Sequence, residues 1–223
     1  MNLNIENYAV DHHFSSSIFR SNQPQFLPAV SAVFEEYVQK SKNNNQSQSP
    51  VYPCVMTDLI SFDERINPFE EYVDNIAWDI LNSQGYNMDL FYTSSSEMWG
   101  QQHYYMSNME QHIHGQDVQL CGLYFIDTPQ DSSSFFIHDP RAVKIYAGLP
   151  ERQSQSVTSA HNMVYYTPEP GDLIFTNAWL AHSFSRNQSQ LPYNFIHINV
   201  RVLYREDGGQ LNNTFQQSGP III

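Results

Sequence analysis

The chain has 223 residues, a formal net charge of −13 and an apolar content of 41%. This composition supplies a hydrophobic core, which excludes wholesale disorder, and the length suits a single domain. The acidic excess argues against nucleic acid or an anionic membrane as a partner, and no apolar run is long enough to span a bilayer.

The first part of the chain, residues 1–87, predicts a helical or irregular layer. Apolar residues recur at helical spacing over 25–40 and again over 68–84, so each segment is expected to form an amphipathic helix. Residues 1–25 predict either an edge strand or an irregular arm. The polar segment 41–50 predicts an exposed loop.

From residue 88 the pattern changes to eight short runs of β-branched and aromatic residues, separated by turn-forming residues. This spacing predicts a mainly β core over 88–207, built as a sandwich, barrel or jelly roll, with the helices packed on it. Residues 208–223 are predicted to form a C-terminal tail. Its apolar end, Ile221–Ile223, favours a docked terminus or an interface in a homo-oligomer.

Histidine is concentrated in this β half, since seven of the nine histidines follow residue 100. On a strand, His112 and His114 would project to the same face, with Ile113 on the other. Two imidazoles placed in this way form either a chelating pair for a first-row metal ion or a hydrated surface pair. Cys54 and Cys121 lack CxxC spacing, which predicts two buried thiols in a reducing compartment.

Two later segments supply further candidate ligands. A Pro-Gly turn at 170–171 leads into an apolar strand followed by His182, which a double-stranded barrel would return to the first histidine pair. Asp139 precedes Pro140, so it is either a turn cap paired with Arg141 or the carboxylate of a metal site.

The last predicted strand places four residues on one face: Phe195, His197, Asn199 and Arg201. The opposite face is apolar and is expected to pack against a second layer. Polar groups at this density inside a barrel favour a ligand pocket.

These elements together resemble a family of 2-oxoglutarate/Fe(II) oxygenases known from marine bacteria and from phages of cyanobacteria. In this chain the series is HIH, CGLYFI, HDPR, PGDLIF…AWLAHSF and NFIHINV. The family series is roughly HxH, SGxYYL, FxDPR, GxLxxFPxxxxH and RxSxxxN. The resemblance spans about residues 95–205 and rests on the order and spacing of all five elements.

The resemblance implies a double-stranded β-helix, also called a jelly roll or cupin-like barrel, that holds mononuclear Fe(II) and uses 2-oxoglutarate and dioxygen. It implies no catalytic residue beyond the metal ligands. His112 and His182 match the family's metal histidines, whereas His114 occupies the usual carboxylate position. The site is then either His112, His114 and His182, or two histidines with Asp139 as the carboxylate ligand.

The chain departs from the family at the cosubstrate anchor, because residues 191–195 hold no basic residue and no RxS motif. A guanidinium suits this role because it binds a carboxylate in a bidentate manner. Asn199 matches the family's asparagine, and Arg201 on the same face is the candidate substitute. Tyr124 is a further candidate for hydrogen bonding to the cosubstrate, while Arg141 and Arg186 are other possible cations.

The sequence therefore predicts an oxygenase acting on a small molecule or a peptide. One alternative is a metal-dependent cupin dioxygenase that does not use 2-oxoglutarate, and another is a non-catalytic jelly-roll module with a binding or structural role. The start of the chain, MNLNIENYAV, lacks the features of a secretory signal. A cytoplasmic location is therefore expected, in the host cytoplasm if the chain is viral.

Overall fold

The computed structural model describes residue 9 and residues 11–44, 53–115, 117–152 and 156–205. Two α-helices and ten strands lie in these ranges. They are, in chain order, β1 (Ile18–Asn22), α1 (Leu27–Asn43), β2 (Cys54–Leu59), α2 (Asn67–Ser83), β3 (Phe91–His103), β4 (Met109–His112), β5 (Val118–Asp127), β6 (Phe135–His138), β7 (Met163–Tyr166), β8 (Asp172–Asn177), β9 (His182–Phe184) and β10 (Tyr193–Tyr204). The predicted C-terminal tail lies outside the described residues.

The two predicted helices are both present. A short 3-10 turn, Pro24–Phe26, precedes α1, and a second, Glu64–Ile66, precedes α2. Each α-helix begins with a proline at its second position, where a missing amide hydrogen breaks no helical hydrogen bond. Both helices place their apolar stripe against the sheet.

The strands form two antiparallel sheets. The larger has six strands in the order β1-β8-β5-β10-β3-β2, and the smaller has four in the order β4-β9-β6-β7. Strands that are distant in sequence are neighbours in both sheets. This arrangement is the double-stranded β-helix expected from the resemblance, with helices packed on one sheet.

Two apolar clusters hold these layers together. One lies between the helices and the outer face of the six-stranded sheet, where Phe34, Phe69 and Tyr124 are buried. The other fills the space between the two sheets. Its members are Leu123, Phe125, Phe135, Ile137, Ile174, Leu180, Phe184, Tyr193 and Phe195. Alternate residues of β5 therefore serve different cores, as strand geometry requires.

The strands differ from the prediction in three ways. The first two predicted runs are one long strand, β3, and β2 was not predicted. The run over 171–185 is divided between β8 and β9, which belong to different sheets. A turn closed by the Leu180 amide, which donates to the Asn177 carbonyl, carries the chain across. Apolar periodicity does not mark this crossing, because residues on both sides face the same interior.

No helix within the described ranges is both long enough and apolar enough to cross a membrane.

Candidate metal centre

His112 and His182 meet across the small sheet. His112 is the last residue of β4 and His182 is the first of β9, and the two are directly opposite each other in the antiparallel pair. Directly opposed residues point to the same face, and here the ring centroids are 4.5 Å apart. The strand pairing therefore brings together two histidines that are 70 residues apart in sequence.

His114 lies just beyond the end of β4 and is fixed by a different contact. Its amide donates to the Ala178 carbonyl at 2.8 Å, which ties it to the turn between β8 and β9. Its ring lies 5.2 Å from those of both His112 and His182. Ile113 is 58% exposed and points away, so the expected alternation of faces is present.

Nitrogen atoms of these three histidines lie within 4.8 Å of one another. The Nδ1 atoms of His112 and His182 lie 2.8 Å and 3.0 Å from the carbonyl oxygens of Glu110 and Leu180. Because a carbonyl only accepts, each Nδ1 carries the hydrogen and each Nε2 presents a lone pair. Hydrogen bonds of this type orient histidines at metal sites.

The electrostatics of the cluster favour neutral imidazoles. Burial above all, together with the neighbouring imidazoles, lowers the pKa of His182 to about 3 and that of His114 to about 4. Metal ions bind the neutral form of histidine, so the cluster holds these side chains in the state that a ligand needs. The three side chains therefore fit an Fe(II) ion.

A second group shares His114. Ligand atoms of His114, Cys121 and His197 also lie within 4.8 Å of one another, and both Cys121 and His197 are buried. The Cys121 Sγ lies 3.8 Å from Nε2 of His182 and 3.7 Å from Nε2 of His197. The predicted buried thiols are present, but Cys121 lies against the histidine cluster.

The Asp139 carboxylate pairs with basic side chains and does not join the histidine cluster. It accepts hydrogen bonds from Arg141 and from Lys144, and the Arg141 side chain above all holds the pKa of this carboxyl well below its usual value. It is absent from the groups of clustered ligand atoms among the described residues. This arrangement matches the turn-cap interpretation of Asp-Pro-Arg.

The candidate anchor residues lie in different surroundings. Arg201 donates to Glu97 at 2.6 Å, and Asn199 donates to the other oxygen of the same carboxylate at 3.0 Å. Tyr124 faces the helices instead of the histidines, and its hydroxyl donates to the Gln23 carbonyl at 2.9 Å. The prediction that Tyr124 hydrogen-bonds to the cosubstrate is therefore wrong. Adjacent residues on a strand point to opposite faces, and Tyr124 lies on the face that packs against the helices.

The stretch that replaces the RxS motif is packed into the core. Tyr193 and Phe195 are fully buried between the sheets, and Phe195 stacks on Phe184 with centroids 5.0 Å apart. Arg186 is exposed, and Arg141 is paired with Asp139. Among the described arginines, Arg201 shares its strand with His197 and Asn199 and remains the candidate for binding a carboxylate.

Buried polar atoms without a protein partner are concentrated at this site. Within the described residues there are seven such side chains, and four of the atoms lie around the cluster. They are His114 Nε2, His197 Nδ1, Asn199 Oδ1 and Arg201 Nε. Buried polar groups are nearly always hydrogen-bonded, so this concentration indicates a place built for a ligand.

The alternation of residues predicts that His197 lies on a cavity-lining face but not that it joins the histidine cluster, and the sequence predicts only a buried thiol at Cys121. The alternation of β10 identifies the face of His197. The approach of Cys121 follows from the pairing of β5 with β10, where Cys121 is opposite Asn199. This register could not be obtained from either strand alone.

Comparison with known proteins identifies a similar family and similar folds. Residues 97–194 match a family model described as "Putative 2OG-Fe(II) oxygenase". This segment includes His112, His114 and His182 and ends just after the start of β10. No curated protein sequence matches the chain.

Solved structures share the fold at low sequence identity. A prolyl-4-hydroxylase from Pseudomonas putida superposes with a TM-score of 0.56 at 9% identity, covering 84% of this chain and 94% of that one. HygX from Streptomyces hygroscopicus, solved with nickel, 2-oxoglutarate and hygromycin B bound, gives 0.51 at 9% identity, covering 83% of each chain. EctD from S. alaskensis, solved with 2-oxoglutarate and 5-hydroxyectoine, gives 0.52 at 10% identity, covering 83% and 72%.

The matched segment, the double-stranded β-helix and the histidine cluster agree with one another. Residues 97–194, which lie within the β core and contain the histidine cluster, are similar to the 2OG-Fe(II) oxygenase family.

Proposed function

We propose that this chain is a mononuclear, non-haem Fe(II) oxygenase that uses 2-oxoglutarate and dioxygen to hydroxylate a small molecule or a peptide side chain. In this proposal His112, His114 and His182 hold the iron. The observation that carries it is the convergence of three imidazoles from β4, β9 and the segment between β4 and β5. Three ligands on a six-coordinate ion leave three positions for the reacting molecules.

When bound, Fe(II) with a 2-oxoacid activates dioxygen, and the cofactor supplies this chemistry. The balanced reaction takes the substrate, dioxygen and 2-oxoglutarate to the hydroxylated substrate, succinate and carbon dioxide. One oxygen atom enters the substrate and the other enters succinate. The protein contributes the ligands, the placement of both substrates and a site from which water is largely excluded.

We propose Arg201 as the group that binds the cosubstrate's distal carboxylate. Its Nε is buried without a protein partner, while one terminal nitrogen contacts Glu97. Arg201 therefore has a donor available in addition to its ion pair. Asn199 lies between Arg201 and His197 on β10, and its buried Oδ1 also lacks a protein partner. A carboxylate at Arg201 would compete with Glu97 for the guanidinium.

The substrate class follows from the rim of the cluster. Trp179 is 50% exposed and follows Ala178, whose carbonyl accepts a hydrogen bond from the His114 amide. In this proposal the Trp179 side chain lies at the rim of the centre and contacts an incoming substrate. The structures with a similar fold include a prolyl-4-hydroxylase and EctD with bound 5-hydroxyectoine, and we propose a substrate within the same range, a small molecule or a peptide side chain.

The test is anaerobic addition of Fe(II) and 2-oxoglutarate to metal-free protein, followed by oxygen. We expect the visible charge-transfer absorption of a 2-oxoacid chelated to Fe(II), and then oxygen-dependent formation of succinate. His182→Ala should abolish both, whereas His161→Ala, a substitution in a surface turn, should leave both intact. Absence of the absorption band with saturating iron would reject use of 2-oxoglutarate.

A second candidate function is a metal-dependent dioxygenase of the cupin type that does not use 2-oxoglutarate. The packing of Tyr193 and Phe195 favours it, since apolar side chains fill the place of the family's RxS anchor. For this candidate the same experiment gives iron binding and no 2-oxoglutarate adduct.

A further inference from the structure

A cavity at the edge of the two sheets takes no part in the site described above. Its volume is about 660 Å³, and it is lined by residues of β1 and β7, which are edge strands of the large and the small sheet, and by the segments 12–16 and 157–161. Ligand pockets usually have volumes of about 300–1,000 Å³. The cavity therefore has the size of a binding site for a small molecule.

The floor of this cavity is apolar and adjoins the metal centre. Ile137 and Leu180 line it and also belong to the apolar cluster between the sheets. Ile137 is directly opposite His182 in the pair of β6 and β9, so their side chains share a face. The Leu180 carbonyl accepts the hydrogen bond from Nδ1 of His182. Val164, opposite Ile137 on β7, continues the same apolar surface. A hydrocarbon chain on this floor would therefore extend towards the histidine cluster.

The polar end of the cavity can donate hydrogen bonds to a ligand but has little capacity to accept them. Among the described residues that line it, Asp139 is the only carboxylate and Arg141 the only guanidinium or ammonium group. Each oxygen of Asp139 already accepts two hydrogen bonds, three from Arg141 and one from Lys144 in all. A carboxylate has about four acceptor positions, so none is left for a ligand. Arg141 uses Nε and Nη2, and its Nη1 has no hydrogen-bond partner within the described residues.

The charges at this end favour an anion. Arg141 and Lys144 both pair with Asp139, so two cations share one carboxylate and leave an excess of positive charge. Glu151, an acid of the same segment, accepts hydrogen bonds from Asn162 and does not line the cavity. A local positive excess in a chain of net charge −13 attracts anions to this place. A guanidinium suits a carboxylate in particular, because the two groups have matching geometry.

We infer that this cavity binds the substrate and that the substrate is a carboxylic acid with an apolar chain. The carboxylate binds Arg141, and the chain lies on Ile137, Val164 and Leu180 with its far end towards His182. This inference rests on the proposed function and names its substrate class. A C–H bond at the apolar end is then the one replaced by C–OH, with the oxygen balance given above. Arg201 stays the proposed partner of the cosubstrate.

The first test measures binding of octanoate to the metal-free full chain by calorimetry, which does not depend on the metal site. We expect hexanoate to bind about 15-fold more weakly, the effect of two fewer buried CH₂ groups. Octylammonium, which has the same chain length and the opposite charge, should bind at least about 10-fold more weakly. Absence of octanoate binding, or equal affinity for octanoate and octylammonium, overturns the inference.

The second test removes the cation. Arg141→Gln should lower octanoate affinity at least about fivefold, because a hydrogen bond between charged groups is lost. Arg65→Gln is the matched control, since Arg65 pairs in the same way with Asp63, also two residues before it, and lies outside the cavity lining. Equal affinities of the two variants would show that Arg141 does not bind the carboxylate.

The third test fills the apolar floor and leaves Arg141 unchanged. Val164→Phe should lower octanoate affinity at least about 10-fold, because the larger ring occupies the place of the chain. Tyr165→Phe is the control on the same strand, since Tyr165 is 65% exposed and lies outside the cavity lining. Thermal melts show whether each variant is folded. Wild-type affinity in folded Val164→Phe rejects the cavity as the binding site.

The fourth test gives the orientation of the ligand in the wild-type protein. With Mn(II) bound to the chain, nuclear relaxation of octanoate should be enhanced more at its methyl group than at the CH₂ next to its carboxylate. The reverse order, or displacement of octanoate by 2-oxoglutarate, overturns the assignment as substrate. If His182→Ala keeps the full enhancement, the proposed metal site fails, whereas the binding tests on metal-free protein still decide the cavity.

Discussion

His112 and His182 are directly opposite each other on β4 and β9, with ring centroids 4.5 Å apart. Their Nδ1 atoms are each committed to a backbone carbonyl, so their Nε2 lone pairs are left for a ligand. The pair is thus oriented by main-chain contacts of its own strands. Because the backbone sets this geometry, the metal site is expected to be formed before a metal binds.

The first prediction concerns these two ligands. His112→Ala and His182→Ala should each lower Fe(II) affinity at least about 100-fold, since each removes one of three bonds to the ion. Anaerobic equilibrium dialysis with metal analysis measures this. His138→Ala is the matched control, because His138 adjoins the site but its ring contacts Ser183 on the outer face of the small sheet. Equal metal content in all three variants would contradict the assignment.

The second prediction concerns Asp139. Asp139→Asn should leave Fe(II) affinity within about twofold of wild type, because the carboxylate is paired with Arg141 and Lys144. The same change should lower stability by about 1 kcal/mol, as partly exposed ion pairs contribute up to that amount. Metal titration and chemical denaturation measure the two effects. Loss of iron with unchanged stability would instead make Asp139 the carboxylate ligand.

The third prediction concerns Arg201 and Glu97. Arg201→Ala should weaken 2-oxoglutarate binding to the iron-loaded protein about 10-fold or more, since hydrogen bonds to charged groups contribute about 1.5–3 kcal/mol. Glu97→Gln should strengthen binding about two- to fivefold, because it removes the competing carboxylate from a pair that is 40% and 32% exposed. Anaerobic calorimetry gives both values. If neither variant changes the affinity, Arg201 is not the anchor.

The fourth prediction is a pH dependence of stability that arises from His103. Burial lowers the pKa of His103 to about 4, below the value of 6.5 for an unfolded histidine. The unfolded chain therefore binds this proton first, so stability falls as the pH drops from 6.5 to about 4 and is unaffected above that window. The contribution approaches about 3 kcal/mol, at 1.36 kcal/mol per pKa unit.

Urea denaturation of wild type and His103→Gln at pH 7.5 and pH 4.5 measures this difference. The other buried histidines are the same in both proteins. The difference between the two losses of stability therefore measures the contribution of His103. The loss of stability between the two pH values should be smaller in the variant. An equal loss in both proteins would show that His103 does not contribute.

The fifth prediction concerns the contact of α1 with β3. A Cβ at Gly100 would lie 2.6 Å from Cδ2 of Phe34, a buried residue of α1. Gly100→Ala should therefore destabilise the protein by about 1–3 kcal/mol, the usual cost of overpacking. Gly115→Ala is the control, since a Cβ there meets nothing within 4 Å, and we expect a change below about 0.5 kcal/mol. Thermal melts of metal-free protein compare the two.

The sequence by itself determined the local elements of this protein. Helical spacing identified α1 and α2, alternation identified the faces of β10, and the HxH pattern identified His112 and His114 as a pair. These features depend on residues a few positions apart, where backbone geometry fixes which side chains share a face. The double-stranded β-helix was implied by the resemblance of five motifs, taken in order, to the oxygenase family.

Only the tertiary structure decided which of these faces meet. The sequence predicted that His182 returns to the first histidine pair, but the direct register of His182 opposite His112 comes from the crossing from β8 to β9. The pairing of β5 with β10 places Cys121 beside His197. The pairing of Arg201 with Glu97 and the direction of Tyr124 towards the helices depend on the same registers. Strand register is the alignment of residues between paired strands, and these strands are distant in sequence. It is set by which faces of the strands are buried, so the sequence of one strand alone does not determine it.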